Sequence, residues 1–302
     1  MSRFGAALAR VLPHFPRAFV WKVARRYVAG ESFEDAAQAA EALRAEGAKT
    51  TLALVGEDVD DVDQVRQAVA EYREVFSQVE SRGLGSSISV KPTHLGLRIG
   101  RQLLRKSVDE LAREAARQGR FLRLDMEDHT CTEATLEVYE EAHQDPELEG
   151  HLGVVLQAAL RRTPDDIDAL PDHEVNVRLC KGIYLEPREI AYTDRREIQW
   201  AFIRALEKLF YHGAFVGIAT HDDFLVEKSL GLIERYRIPK DRYEFQMLLG
   251  VRPKLRKSLI QAGHAMRVYV PFGPEWHAYS MRRLRENPKV ATHITKALFK
   301  KG

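Results

Sequence analysis

Glu174-Val-Asn-Val-Arg-Leu-Cys180 runs straight into Lys181-Gly-Ile-Tyr184; a helical pattern over Arg188–His212 closes at Gly213, and Phe215-Val-Gly-Ile-Ala219 follows. Two short β-branched and apolar runs joined by a connection of helix length read as neighbouring parallel strands, because parallel pairing needs such a crossover. The same unit recurs in both directions along the chain. Candidate strands are Thr50–Val55, Ser87–Val90, Phe121–Met126, Leu152–Leu156, Glu174–Cys180, Phe215–Ala219, Tyr243–Met247 and Met266–Val270. Helical patterns cover Val62–Val79, Arg98–Gln118, Thr132–His143, Asp165–Leu170, Arg188–His212, Phe224–Tyr236, Lys254–Ala262 and Trp276–Arg285. Gly83 and Gly85 punctuate the first, and Pro164 with Asp165 opens the fourth. Eight such β/α units predict a (β/α)8 TIM-like barrel over residues 49–302, preceded by an N-terminal helical arm over residues 1–48. The apolar character of the runs leads to the expectation that the strand interiors are apolar.

The chain has 302 residues, 45% of them hydrophobic and 30% charged, a globular balance. Its 46 Lys and Arg against 44 Asp and Glu leave a net charge of +2, which argues against nucleic acid as a main partner. Cys131 and Cys180 are the only cysteines, so a disulfide framework and a metal finger are excluded and a reducing cytoplasm fits. No stretch approaches the ~20 apolar residues of a membrane span. The first thirty residues carry Arg3, Arg10, Arg17, Lys22, Arg25 and Arg26 among apolar and aromatic residues, with no acid before Glu31. Three readings stay open: a transit peptide, for which only Ser2 supplies the usual serine; a basic amphipathic arm attached peripherally to the inner face of a membrane; and a helical lead-in packed on the barrel.

Reactive groups in such barrels stand at the carboxyl ends of the strands. Seven of the eight mouths carry polar residues: Lys91; Asp125-Met126-Glu127-Asp128-His129; Gln157; Arg178 with Lys181, Gly182 and Tyr184; Thr220-His221-Asp222; Gln246; and Tyr269. Gly83-Leu-Gly85 lacks a third glycine and precedes a strand, so it is a turn and not a dinucleotide fingerprint, and no phosphate loop is present. A metal site would draw on Asp125, Glu127, Asp128, His129 and His221, but no paired-histidine spacing converges with them. Lys91 or Lys181 could form a Schiff base if desolvated, against which Arg178 stands near Lys181 and Asp125 faces Lys91. In Tyr279-Ser-Met-Arg282-Arg283-Leu-Arg285-Glu286 the paired arginines point about 100° apart on a helix, so both reach one ligand only if it sits above them at the barrel mouth. Two guanidinium forks on one carboxylate give strong binding; the plainer reading is a solvated basic helix.

Taken together, Ser89-Val-Lys91-Pro-Thr-x-Leu-Gly96, Asp125-Met-Glu-Asp128, Arg178-Leu-Cys-Lys-Gly-Ile-Tyr184, Thr220-His221 and Tyr279-x-x-Arg282-Arg283-x-x-Glu286 resemble the successive signatures of the proline dehydrogenase family, in its short monofunctional bacterial form. The match runs from about Val28 to the C-terminus. The resemblance implies a distorted (β/α)8 barrel that binds FAD without a Rossmann domain, oxidises L-proline to Δ1-pyrroline-5-carboxylate by hydride transfer and passes the electrons to a membrane quinone. A separate pyrroline-5-carboxylate dehydrogenase is then expected to take the product, since one barrel fills the length. By the same resemblance Lys91, Arg282 and Arg283 hold the substrate carboxylate, with Asp125 paired to Lys91, and Tyr184, Leu248, Tyr269 and Tyr279 wall the ring. Arg178 stands near the reactive flavin nitrogen. Asp125, Met126, Gln157, Lys181, Gly182, Tyr184, Thr220, His221, Gln246 and Glu286 complete the cofactor contacts. A tyrosine at position 279 accompanies proline over hydroxyproline. Cys180, Ile183 and Leu249 depart from the commoner residues of the family. A Schiff-base or metal-dependent barrel lyase would use the same rim, and a yellow flavin spectrum separates it from the flavoenzyme.

Overall fold

The computed structural model describes residues 17–286. Residues 1–16 and 287–302, with Arg3, Arg10, Lys296, Lys300 and Lys301, lie outside the described residues, as do the side chains of Ala18, Phe19, Val23 and residues 282–286. Strands β1 (Lys49–Leu54), β2 (Ser87–Val90), β3 (Leu122–Leu124), β4 (Leu152–Gln157), β5 (Asn176–Cys180), β6 (Phe215–Ala219), β7 (Tyr243–Leu248) and β8 (Met266–Phe272) pair in sequence order as a closed parallel barrel. The seam joins β1 to β8 with Thr51 opposite Tyr269.

Among the described residues two helices precede the barrel, α1 (Arg17–Ala24) and α2 (Phe33–Ala45), and eight follow in alternation: α3 (Val62–Ser81), α4 (Arg101–Arg117), α5 (His129–His143), α6 (Thr163–Asp168), α7 (Arg195–His212), α8 (Asp223–Arg235), α9 (Pro253–Gln261) and α10 (Trp276–Glu286). Side-chain caps set several starts. Asp61 accepts from the backbone N–H of Asp63 and Gln64 at 2.9 and 3.0 Å, and Asp194 does the same for Arg196 and Glu197 at 2.8 and 3.1 Å. The helix expected from Arg188 therefore starts only at Arg195, after a loop holding Pro187, and ends where Gly213 takes a φ of 82°. Conversely α5 starts three residues earlier than expected, because Asp128 accepts from Thr130 N–H at 2.9 Å.

Alternation along each strand divides the barrel into two faces. Leu52, Ile88, Val90, Leu122, Leu124, Val154, Val177, Leu179, Val216, Ile218, Phe245 and Val268 face the helices and are fully buried. The expectation of apolar strand interiors fails on the other face. Thr51, Ser87, Ser89, Arg178, Glu244, Gln246 and Arg267 fill the barrel and bond to one another across it, while Arg123 donates to the Val154 and Asn176 carbonyls. A buried interior admits such groups only when each finds a partner, and these do.

The barrel departs from the regular pattern at its seam. The helix after β8 would ordinarily pack on β8 and β1; here α2, with Ala36, Ala37, Ala40 and Leu43 buried in the same core as the strands, packs on both. Helix α10 instead packs against α1, through a cluster of Val20, Ala24, Val28, Val55, Trp276, Tyr279 and Met281. The Trp21 and Trp276 rings meet edge-on at 4.7 Å, and the Trp276 indole donates to Glu31 at 2.5 Å. Among the described residues no helix is long and apolar enough to cross a membrane.

Candidate active site

The inward positions near the carboxyl ends of the strands surround an open cavity of about 260 Å³. Arg178, one residue pair below the end of β5, lines it. Its Nε donates to Gln246 Oε1 on β7 at 2.6 Å, its Nη1 donates to Asp125 Oδ1 just past β3, and the guanidinium carbon lies 5.2 Å from the Tyr269 ring on β8. Four strands thus fix one cation. Tyr269 donates its hydroxyl to the second oxygen of Asp125 at 2.8 Å. Burial first, and then the Asp125 charge, hold the Tyr269 phenol well above its ordinary range, so it stays protonated and keeps donating.

Lys91, just past β2, is buried at the cavity edge, where its ammonium donates to Glu57 in the loop after β1. The expected Lys91–Asp125 pair is therefore not formed. Asp125 is held by Arg178 and Tyr269, whose donors both reach it inside the barrel, while Glu57 supplies the closer partner for Lys91. Glu57 went unnoticed in the sequence because the first mouth was the one without an obvious polar residue at the strand end. Its position three residues beyond Leu54 was the available signal.

Beside them Gln157, at the end of β4, donates its amide to the Glu127 carbonyl at 2.8 Å, which leaves its Oε1 on the cavity side. Glu127 itself is buried and accepts from the Thr93 backbone N–H and hydroxyl, both at 2.8 Å, with burial pushing its carboxyl up. It is thus a clip on the Lys91 loop and not a metal ligand. His129 pairs with Glu186 at 2.5 Å, and Asp128 caps α5; among the described residues no three metal-binding side chains converge.

On the opposite wall His221 accepts the Leu248 backbone N–H at its Nε2, 2.9 Å away. Burial, then Lys181 and Arg252, lower its pKa to about 4, so the ring is neutral at pH 7 with its proton on Nδ1. Lys181 donates to Asp222 at 3.2 Å, and the same oxygen accepts from Gln199 at 2.9 Å. With Lys91 and Lys181 both donating to carboxylates, neither is a free amine for a Schiff base.

Met126, Gly182, Tyr184, Leu248 and Tyr279 line the same cavity, Tyr279 reaching it from α10. Thr220 does not line it; its hydroxyl accepts from Asp222 N–H at 3.2 Å and holds the turn that presents His221. Arg282, Arg283 and Glu286 follow Tyr279 on α10, and their side chains lie outside the described residues. Glu244 and Arg267, paired on the inward face below Gln246, carry no signal in the sequence, because a single charge inside a strand does not differ from ordinary composition.

A family model described as proline dehydrogenase matches residues 36–296. Proline dehydrogenase 1 of Bacillus subtilis (strain 168) is 33% identical over 293 residues, 97% of this chain and 96% of the relative. The proline dehydrogenase of Deinococcus radiodurans is 33% identical over 287 residues, 94% of this chain and 92% of the relative. Among solved structures, proline utilization A from Bdellovibrio bacteriovorus, inactivated by N-propargylglycine, superposes with a TM-score of 0.81 at 24% identity. That likeness is one of fold; it covers 93% of this chain and 36% of the longer one. Carrying the family's match over most of its length and two relatives of nearly equal length, this chain belongs to the proline dehydrogenase family.

Proposed function

We propose that the enzyme oxidises L-proline to Δ1-pyrroline-5-carboxylate with FAD as its cofactor, passes the electrons to a membrane quinone, and leaves the product to a separate pyrroline-5-carboxylate dehydrogenase. The observation that carries this is the fixed Arg178 cation, neutralised by Asp125, in the wall of a largely apolar cavity.

The donor set fits a flavin. Val155, Met126, Ala219 and Met247 give apolar walls, while Arg178, Lys181 and the Nδ1–H of His221 donate and Gln157 Oε1 accepts. A flat heterocycle with several acceptors and one N–H along its edge matches that mixture, and a metal ion does not. FAD, when bound, supplies the hydride acceptor. Arg178, Asp125, Met126, Gln157, Lys181, Gly182, Tyr184, His221, Gln246 and Glu286 would hold it, with Thr220 acting from behind through the turn that presents His221.

Lys91, Arg282 and Arg283 would hold the substrate carboxylate, and Tyr184, Leu248, Tyr269 and Tyr279 would close around its ring. Fixing the carboxylate with cations aims one ring C–H and leaves little freedom to lose before reaction. Arg178 stabilises negative charge that develops beside it. The site offers no free general base among the described residues: Tyr269 stays protonated, His221 has its basic nitrogen occupied, and Asp125 accepts from two donors. Reaction through C–H cleavage toward the cofactor, without a dedicated protein base, is the reading this supports. Quinone access has its own support, since Ile183 and Leu248 line the cavity and are exposed, and Leu185, next in sequence to the lining Tyr184, is 80% exposed.

The purified enzyme is to be given L-proline and a short-chain quinone, with o-aminobenzaldehyde trapping the pyrroline. Equal amounts of trapped product and reduced quinone are expected. Flavin-loaded enzyme that yields neither would overturn the proposal.

A further inference from the structure

We infer that Glu244, on the floor of the barrel, is a positioning residue for Arg178 and acts through the side chain of Gln246; the inference deepens the flavin reading above and rests on it. Glu244 is 1% exposed. Its Oε1 accepts from Gln246 Nε2 at 2.7 Å and from Arg267 Nε at 2.5 Å, and its Oε2 accepts from Arg267 Nη2 at 3.1 Å.

An ionised carboxylate can only accept hydrogen bonds, so the Gln246 amide has to present its nitrogen downward and its carbonyl upward. The upward carbonyl is the atom that receives Arg178 Nε at 2.6 Å. Turned the other way, the amide would set an oxygen against the Glu244 carboxylate and an NH2 against the guanidinium N–H, two like-pole contacts in place of two bonds. Glu244 thereby decides which end of Gln246 meets Arg178.

The floor beneath is itself anchored. Arg267 Nη1 donates to the Thr50 carbonyl at 3.1 Å and to Ser87 Oγ at 3.0 Å, which ties the pair to β1 and β2. On β6 the neighbour of the amide is Gly217, where a Cβ would come within 2.3 Å of Gln246 Nε2, so only glycine leaves room for the amide as it lies. An ion pair that served only to fill the barrel would need Arg267 and Glu244 alone; the third bond, to Gln246, is the one that leads upward to the cavity.

Two variants separate positioning from mere support. Glu244→Gln lets the Gln246 amide reverse, while Gln246→Leu removes the relay and leaves the Glu244–Arg267 pair in place. In flavin-loaded enzyme both are expected to slow flavin reduction by proline about 10- to 100-fold, less than the roughly 100- to 1000-fold that outright removal of one aligned electrostatic group costs, because Arg178 is displaced and not deleted. The proline concentration at half-saturation should change by less than about 3-fold, because the carboxylate clamp is elsewhere. The reduction potential of the bound flavin should become more negative in both, since the cation, still paired to Asp125, loses the bond that fixes its Nε side. A parent-like rate or potential in either loaded variant, or loss of flavin from both, overturns the inference. Failure of the parent enzyme to bleach with proline would instead count against the proposed function.

Discussion

Removing one oxygen atom probes the centre of the site. Tyr269→Phe keeps the ring that lies against Arg178 at 5.2 Å and deletes the hydroxyl that donates to Asp125 at 2.8 Å. The Asp125 side chain is 14% exposed, so its Oδ2 loses a donor in a place that water reaches only through the cavity mouth. An unsatisfied partner of this kind costs about 1–3 kcal/mol, and the open mouth favours the lower part of that range. For a domain of 302 residues the unfolding entropy makes that a fall in Tm of about 2–5 °C. With Asp125 held from one side only, Arg178 is less well fixed, and a loss of about 1.4 kcal/mol of transition-state stabilisation lowers kcat/KM about 10-fold. The assay pairs thermal unfolding of the holoenzyme with steady-state proline oxidation between pH 6 and 9. Because the phenol remains protonated throughout, the parent profile should show no limb that Tyr269→Phe abolishes. A variant with unchanged Tm and unchanged kcat/KM would mean that the Tyr269–Asp125 bond contributes nothing, and the reasoning from the buried triad would be refuted.

Other expectations follow from the same geometry. Arg282→Met and Arg283→Met should each raise the proline KM far more than they change flavin content, since losing one charged partner costs about 2–5 kcal/mol; proline binding equal to the parent in both would remove the clamp. Tyr279 lines the cavity and is buried, so it should crowd out a ring hydroxyl: kcat/KM should favour L-proline strongly over 4-hydroxyproline, and Tyr279→Ser should narrow the gap mainly by weakening proline binding. Equal activity of the parent on both substrates would contradict this. Acid should destabilise the fold through His94, whose pKa burial and then Lys91 lower from 6.5 to about 4. The unfolded chain binds that proton first, so stability is lost as pH falls below 6.5, by about 2 kcal/mol at pH 5. His94→Gln should therefore show a smaller drop in urea midpoint between pH 7 and pH 5 than the parent, and an identical drop would contradict the assignment.

The barrel was legible because its outer face repeats every second residue in eight short runs, and those aliphatic positions are what a helix layer buries. The inner face was not, because Arg123, Arg178, Glu244 and Arg267 are scattered one per strand and meet their partners, Asn176, Gln246 and, for the last two, each other, only when the strands come together. Strand-end position found Arg178, Asp125, Tyr269, Gln157, His221 and Gln246, since backbone geometry alone carries residues there into one space. It could not decide pairing: whether Lys91 meets Asp125 or Glu57 depends on how far two loops descend, and the structure chose Glu57. Nor did the apolar pattern of Phe33–Ala45 say that this helix, and not the one after β8, would cover the seam. That exchange is what leaves Trp276–Glu286 to pack on α1 and bring Tyr279 to the cavity.

Anaerobic titration of the purified yellow enzyme with L-proline, followed at the visible flavin band, tests the central claim most directly. Stepwise bleaching to completion, with one pyrroline trapped per flavin reduced and no bleaching by D-proline, is the outcome expected of a site built around Arg178 and Asp125. A colourless protein, or bound flavin that stays oxidised at saturating L-proline, would contradict it.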